Sequence, residues 1–109
     1  MNDEYSQIVM SIIMQGGDAK NDCMTAIKAA KEGNFTTAQQ SLKDADQALM
    51  KAHDVQTKLL TQEAQGHHTE VNLYMVHAQD WLMNGITFKD LTTEIVALYQ
   101  TMAGNKSNN

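Results

Sequence analysis

Between Ala38 and Leu59 the chain repeats small or apolar residues at alternating steps of four and three: Ala38, Leu42, Ala45, Leu49, Ala52, Gln56 and Leu59. That rhythm lines up one side of an α-helix and fits no β-strand, whose side chains alternate every second residue. Its alanines require a neighbouring helix to come close, as in bundle packing with helices crossing near +20°. Gln56 is the polar exception in the seam. None of the 109 residues is proline, so no ring kinks or stops a long helix. A helical bundle is the fold class this pattern predicts.

Two further stretches read the same way. Ile8, Ile12, Ala19, Cys23, Ile27 and Ala30 recur at helical spacing and predict a first helix over about residues 3–32. Gly16-Gly17 interrupts it; each glycine costs about 1 kcal/mol against alanine and marks a kink or a close helix approach. At Lys31-Glu32-Gly33-Asn34 the helix ends: Gly33 suits the residue after a terminus, and Asn34 can cap the next helix. The second helix is expected over about 35–65. A second break, Gln65-Gly66-His67-His68-Thr69, offers Thr69 as the cap of a third helix over about 70–103. One stripe there is His77, Trp81, Asn84, Phe88, Leu91, Ile95, Leu98 and Met102; a shorter one is Leu73, Val76, Asp80, Met83 and Thr87. Residues 104–109 read as a disordered tail after a single domain, 1–103. The whole is all-α, an antiparallel three-helix bundle subunit. A 30-residue helix is about 45 Å long. Three of them carry more apolar surface than one small bundle can hide, so self-association with cyclic symmetry is expected.

Charge and composition narrow the function. A formal net charge of −5 argues against nucleic acid and anionic membrane as partners and suits docking on a basic protein surface. Cys23, the single cysteine, cannot form an intramolecular disulfide and fits a cytoplasmic setting. No apolar run approaches the roughly 20 residues a membrane span needs, so no direct membrane insertion is expected. The start, Met1-Asn2-Asp3-Glu4-Tyr5, lacks the layout of a signal peptide. No phosphate-binding loop, dinucleotide glycine pattern, paired-cysteine zinc motif or HExxH is present.

The chemistry-bearing stretch is Val76-His77-Ala78-Gln79-Asp80-Trp81-Leu82-Met83. His77 and Asp80 lie about 60° apart around a helix, on neighbouring stripes. A lone carboxylate in an apolar stripe either finds a cation or stays protonated. On a symmetry axis, one Asp80 per subunit would meet at a common point, and a magnesium ion with oxygen ligands would relieve the repulsion. The alternative is an Asp satisfied by a hydrogen bond or a lysine. Neutral imidazole is a good nucleophile near neutral pH, so His77 at the edge of a seam suits a phosphoryl carrier; spacing alone favours a satisfied core histidine. His67-His68 reads as a solvated turn, His53 as a packing or polar-network residue, and Cys23 as a buried structural thiol.

Residues 76–83 closely resemble the His-Ala-Gln-Asp-His-Leu-Met signature of enzyme IIA of the lactose/cellobiose family, part of the bacterial phosphoenolpyruvate-dependent sugar phosphotransferase system. Gly17-Asp18-Ala19, Gly33-Asn34-Phe35 with Ala38, and Ala52-His53-Asp54-Val55-Gln56-Thr57 resemble further family elements in the family's order, over roughly residues 8–100. The resemblance implies a three-helix subunit assembling as a homotrimer. It implies that His77 is phosphorylated, as a tele-phosphohistidine intermediate, taking the group from phospho-HPr and passing it to a cysteine of the cognate enzyme IIB. Asp80 would meet its symmetry mates around one magnesium ion per trimer, structural in role. Gln79 matches the motif and would support the phosphohistidine. The sugar implied is a β-linked disaccharide, cellobiose or chitobiose before lactose. Trp81 departs from the signature, which has a second histidine there, so His77 must be oriented by other groups. Two other readings remain open. One is a histidine phosphotransfer domain of two-component signalling, although His77 lacks the usual His-x-Leu-Lys-Gly setting. The other is a non-enzymatic adaptor in which His77 and Asp80 form a buried polar pair fixing register.

Overall fold

Asn2 opens the first helix: its side chain accepts the backbone N–H of Tyr5 at 2.7 Å, and Asp3 and Glu4 sit in the first turn, where negative charge suits the helix dipole. A computed structural model describes residues 2–107 and contains α1 (Asp3–Lys31), α2 (Phe35–Ala64) and α3 (Leu73–Ser107). Among the described residues there is no strand.

Both turns are built the same way. Gly33 (φ 80°) and Gly66 (φ 89°) adopt the left-handed conformation that glycine alone takes without strain. After each, the chain folds back on the helix it left: Asn34 N–H donates to the Ala29 carbonyl at 2.8 Å, and His67 N–H to that of Gln62 at 2.9 Å. Asn34 caps α2 as its position predicts, its side chain accepting the Thr37 N–H at 3.1 Å.

The cap of α3 differs from expectation. Asn72, not Thr69, accepts the Met75 N–H at 3.1 Å, so the helix begins at Leu73 rather than near 70. Tyr5 explains the delay: its hydroxyl donates to the Glu70 carbonyl at 2.6 Å. That bond ties the preceding segment to the start of α1 instead of letting it coil. At the other end, α3 runs through Ser107, where a disordered tail was expected from 104. Gly104 keeps a negative φ, and with no proline or left-handed glycine to stop it, the hydrogen-bond ladder continues. Residues 108–109 of that expected tail lie outside the described residues.

The helices form a rod of 61 × 23 × 19 Å. The α2 seam is at its centre: Ala38, Leu42, Ala45, Leu49 and Ala52 are buried, with Gln56 and Leu59 at its partly exposed end. They meet Val9, Ile12, Ala19, Cys23, Ala26 and Ala30 of α1. Burial holds the Cys23 thiol above its ordinary pKa, opposed by a hydrogen bond with Thr92.

The third helix corrects the stripe reading. It buries Met75, Ala78, Leu82, Gly85, Thr92 and Val96, whereas Leu73, Val76, Met83, Leu91, Leu98 and Met102 stay exposed, Leu73 at 81%. This helix is apolar nearly all round, so periodicity could not rank its faces. Close packing selects the face with small residues: a Cβ on Gly85 would stand 3.1 Å from Leu49. Across the same contact Lys89 pairs with Asp46 at 3.1 Å.

Leu82 is fully buried; Leu82→Ala is expected to lower unfolding free energy by about 2–5 kcal/mol in urea titration. Asp22 is held above its ordinary pKa, first by burial and then by Asp44 and Asp18. Its ionised form is thus disfavoured in the folded state, and its contribution to stability falls as pH rises from the ordinary pKa through the raised one. Asp22→Asn should therefore be more stable than wild type at neutral pH, and the difference should vanish below pH ~3, as read from denaturation at both pH values.

Candidate functional site

His77 emerges from the exposed side of α3, one turn before Trp81. Among the described residues it makes no hydrogen bond; its neighbour is the indole, with ring centroids 6.1 Å apart and planes inclined by 27°. That is an offset stack within the range aromatic pairs favour.

The indole is itself tied to α1. Its Nε1–H donates to the Ile13 carbonyl at 3.1 Å, and the Lys20 ammonium lies 4.9 Å from the ring centroid. Gly16 makes room for it: a Cβ there would meet Trp81 Cδ1 at 2.6 Å, whereas one on Gly17 would approach Nε1 only to 4.0 Å. Of the two meanings the glycine pair allowed, close approach is the one realised, and α1 continues through both residues. Beyond the indole, Lys20, Asn84, Gly85 and Phe88 line a small cavity of about 70 Å³.

Helical geometry separates the other motif residues. Gln79 follows His77 by two positions, roughly 200° around the axis. It faces α2, where its carbonyl oxygen accepts the Gln56 Nε2–H at 2.7 Å and its amide donates to Met75 Sδ at 3.4 Å. The sequence motif thus joins two residues that the helix turns apart. Gln56, the polar exception of the α2 seam, finds its partner here. Asp80 is exposed beside Leu73, Val76 and Met83 and accepts the Asn84 Nδ2–H at 3.3 Å. His77 and Asp80 therefore do not form the buried polar pair of the adaptor reading: both stand on the surface, because α3 packs through Met75, Ala78, Leu82 and Gly85 instead. Among the described residues no three His, Cys, Asp or Glu side chains converge as a metal site.

His53 is exposed on α2 rather than packed, since it falls just off the alanine seam. His68 pairs with the Glu63 carboxylate in the turn. Sequence reasoning missed the contact of Trp81 with Ile13, Gly16 and Lys20. Its two halves were visible, as a glycine pair in one helix and an out-of-pattern tryptophan in another, but nothing in the order of residues pairs them.

Residues 7–100 match the family described as PTS system, lactose/cellobiose specific IIA subunit. This chain belongs to that family. It is 57% identical over 95 residues to the galactose-specific EIIA component of Lactococcus lactis subsp. cremoris, covering 87% of this chain and 82% of the relative. It is 54% identical over 101 residues to the cellobiose-specific EIIA component of Lactococcus lactis subsp. lactis, covering 93% and 87%. Its fold matches the IIA(chitobiose) subunit in a solution structure of the IIA(chitobiose)–HPr complex of Escherichia coli with TM-score 0.80 and 34% identity, covering 94% and 99%. This IIA component is accordingly a phosphotransfer protein of the sugar phosphotransferase system. Among the described residues, no helix is long and apolar enough to cross a membrane.

The thiol of this IIA component is out of reach: Cys23 is fully buried. Thiol reagents at neutral pH should modify it only after denaturation, checked by mass spectrometry of native and urea-treated protein.

Proposed function

We propose that this IIA component carries the phosphoryl group on Nε2 of His77. The supporting observation is an exposed imidazole that makes no hydrogen bond among the described residues, inside the stretch that matches the family signature. Phospho-HPr is the donor in this reading, in keeping with the HPr complex formed by the chitobiose relative. The Nε2 lone pair of neutral His77 attacks phosphorus as the donor's bond to phosphorus breaks, its electron pair leaving on the donor atom. In the second step a cysteine thiolate of the cognate enzyme IIB attacks, and the P–Nε2 bond breaks to restore the imidazole. Such transfers rest on in-line positioning and charge stabilisation. The chain already carries −5, so both partners must bring positive charge or amide donors to the phosphoryl group. Gln79 supports the site indirectly, since its bond to Gln56 fixes α3 against α2 on the side of the helix away from His77.

The uncovered face of α3, with Leu73, Val76, Met83, Leu91 and Leu98 exposed, is the surface we propose to close in a homotrimer. Asp80 lies on that face, and three copies would supply the carboxylates that one chain lacks. A magnesium ion there would neutralise them and serve structure rather than phosphoryl transfer. A cytoplasmic location follows from the phosphoenolpyruvate source of the phosphoryl group. The transported sugar is proposed to be a β-linked disaccharide of the cellobiose or chitobiose type; the galactose-specific relative makes galactose the competing outcome of a growth panel.

Incubation with labelled phosphoenolpyruvate, enzyme I and HPr should label the wild type and leave His77→Ala unlabelled; equal labelling of both would refute the carrier role. An acyl-phosphate response regulator as donor should give no label, which separates this reading from a histidine phosphotransfer domain. Asp80→Leu should still sediment as a trimer while losing bound metal, since an apolar side chain suits that face. Dissociation to monomers would show that metal binding outweighs carboxylate repulsion there.

A further inference from the structure

An exposed histidine without a hydrogen bond would ordinarily sample several rotamers, which suits poorly a transfer that depends on aiming one ring nitrogen. Among the described residues, the ring contact of His77 is its stack on Trp81 at 6.1 Å. Trp81 is itself held from α1, by the Ile13 carbonyl, the Cβ-free surface of Gly16 and the Lys20 ammonium. The order of support therefore runs from the α1 backbone to the indole and from the indole to the imidazole. We propose that Trp81, seated on Gly16, is a positioning residue that holds the His77 ring for phosphoryl transfer. The proposal rests on His77 being the phosphoryl carrier. Trp81 makes and breaks no bond in the reaction; it limits the orientations of the ring that does. The electron-rich indole face also suits an imidazole that becomes electron-poor as Nε2 takes on phosphorus.

Trp81 is the only tryptophan in the chain, so its fluorescence reports the stack without labelling. Wild type, Trp81→Leu, Trp81→Phe, Gly16→Ala and His77→Ala would be assayed as full-length proteins, with phosphoenolpyruvate, enzyme I and varied HPr. Trp81→Leu should lower kcat roughly 10- to 100-fold with little change in KM for HPr, and Trp81→Phe should recover most of the loss by restoring a stacking ring. Gly16→Ala, whose methyl displaces the indole, should lower kcat with Trp81 intact. Trp81 emission should change in step with phosphorylation in wild type and not respond in His77→Ala. Wild-type kcat in Trp81→Leu, or a change confined to KM, would overturn the positioning role even with His77→Ala inactive. Labelling of His77→Ala would instead overturn the carrier reading beneath it. Should Trp81→Leu fail to fold by circular dichroism, Gly16→Ala decides: unchanged kcat and emission there would refute the proposal.

Discussion

Small side chains along the line where α1 meets α2 control how this bundle is built. Ala19, Ala26 and Ala30 face Ala38, Ala45 and Ala52, so two long backbones come together over little side-chain volume. Dispersion contacts between close-packed backbones then replace the large apolar residues of a thicker core. The third helix must fit the same narrow rod, and it does so by turning Ala78 and Gly85 inward. Met75, Leu82 and Val96 turn inward with them, while Leu73, Val76, Met83, Leu91 and Leu98 are left outside and form the uncovered apolar face on which Asp80 stands.

The site follows from the same economy of volume. Gly16 is to Trp81 what Gly85 is to Leu49: a missing Cβ that lets a large side chain approach a helix backbone. Because the indole bridges α1 and α3, the orientation of His77 is coupled to the packing of the bundle rather than to a local hydrogen bond. Asp80 and Gln79 leave His77 in different directions, one on the uncovered face and one against α2. Three neighbouring motif residues therefore serve three different surfaces of one helix.

Much of this was legible in the residues. The alanine seam of α2, Gly33 after the first helix and Asn34 as the next cap all match the structure, because each depends on local geometry: helical period, left-handed φ and a side chain long enough to reach its own backbone. The start and the inner face of α3 were not legible. Asn72 displaces Thr69 as the cap because Tyr5, distant in sequence, captures the Glu70 carbonyl. The inner face was masked because α3 is apolar on several sides, and the choice among them was made by the shape of the α1–α2 surface.

The sequence by itself determined three long helices, two glycine turns, the family signature around His77 and the acidity that leaves positive charge to partners. Each is set by residues near one another along the chain. Only the tertiary structure decided which stripe of α3 is buried, that Gln56 meets Gln79, and that Trp81 takes its seat on Gly16 beneath the His77 ring. Those outcomes depend on complementarity of shape between helices, and a linear order of residues specifies the pieces to be matched without showing which surfaces fit.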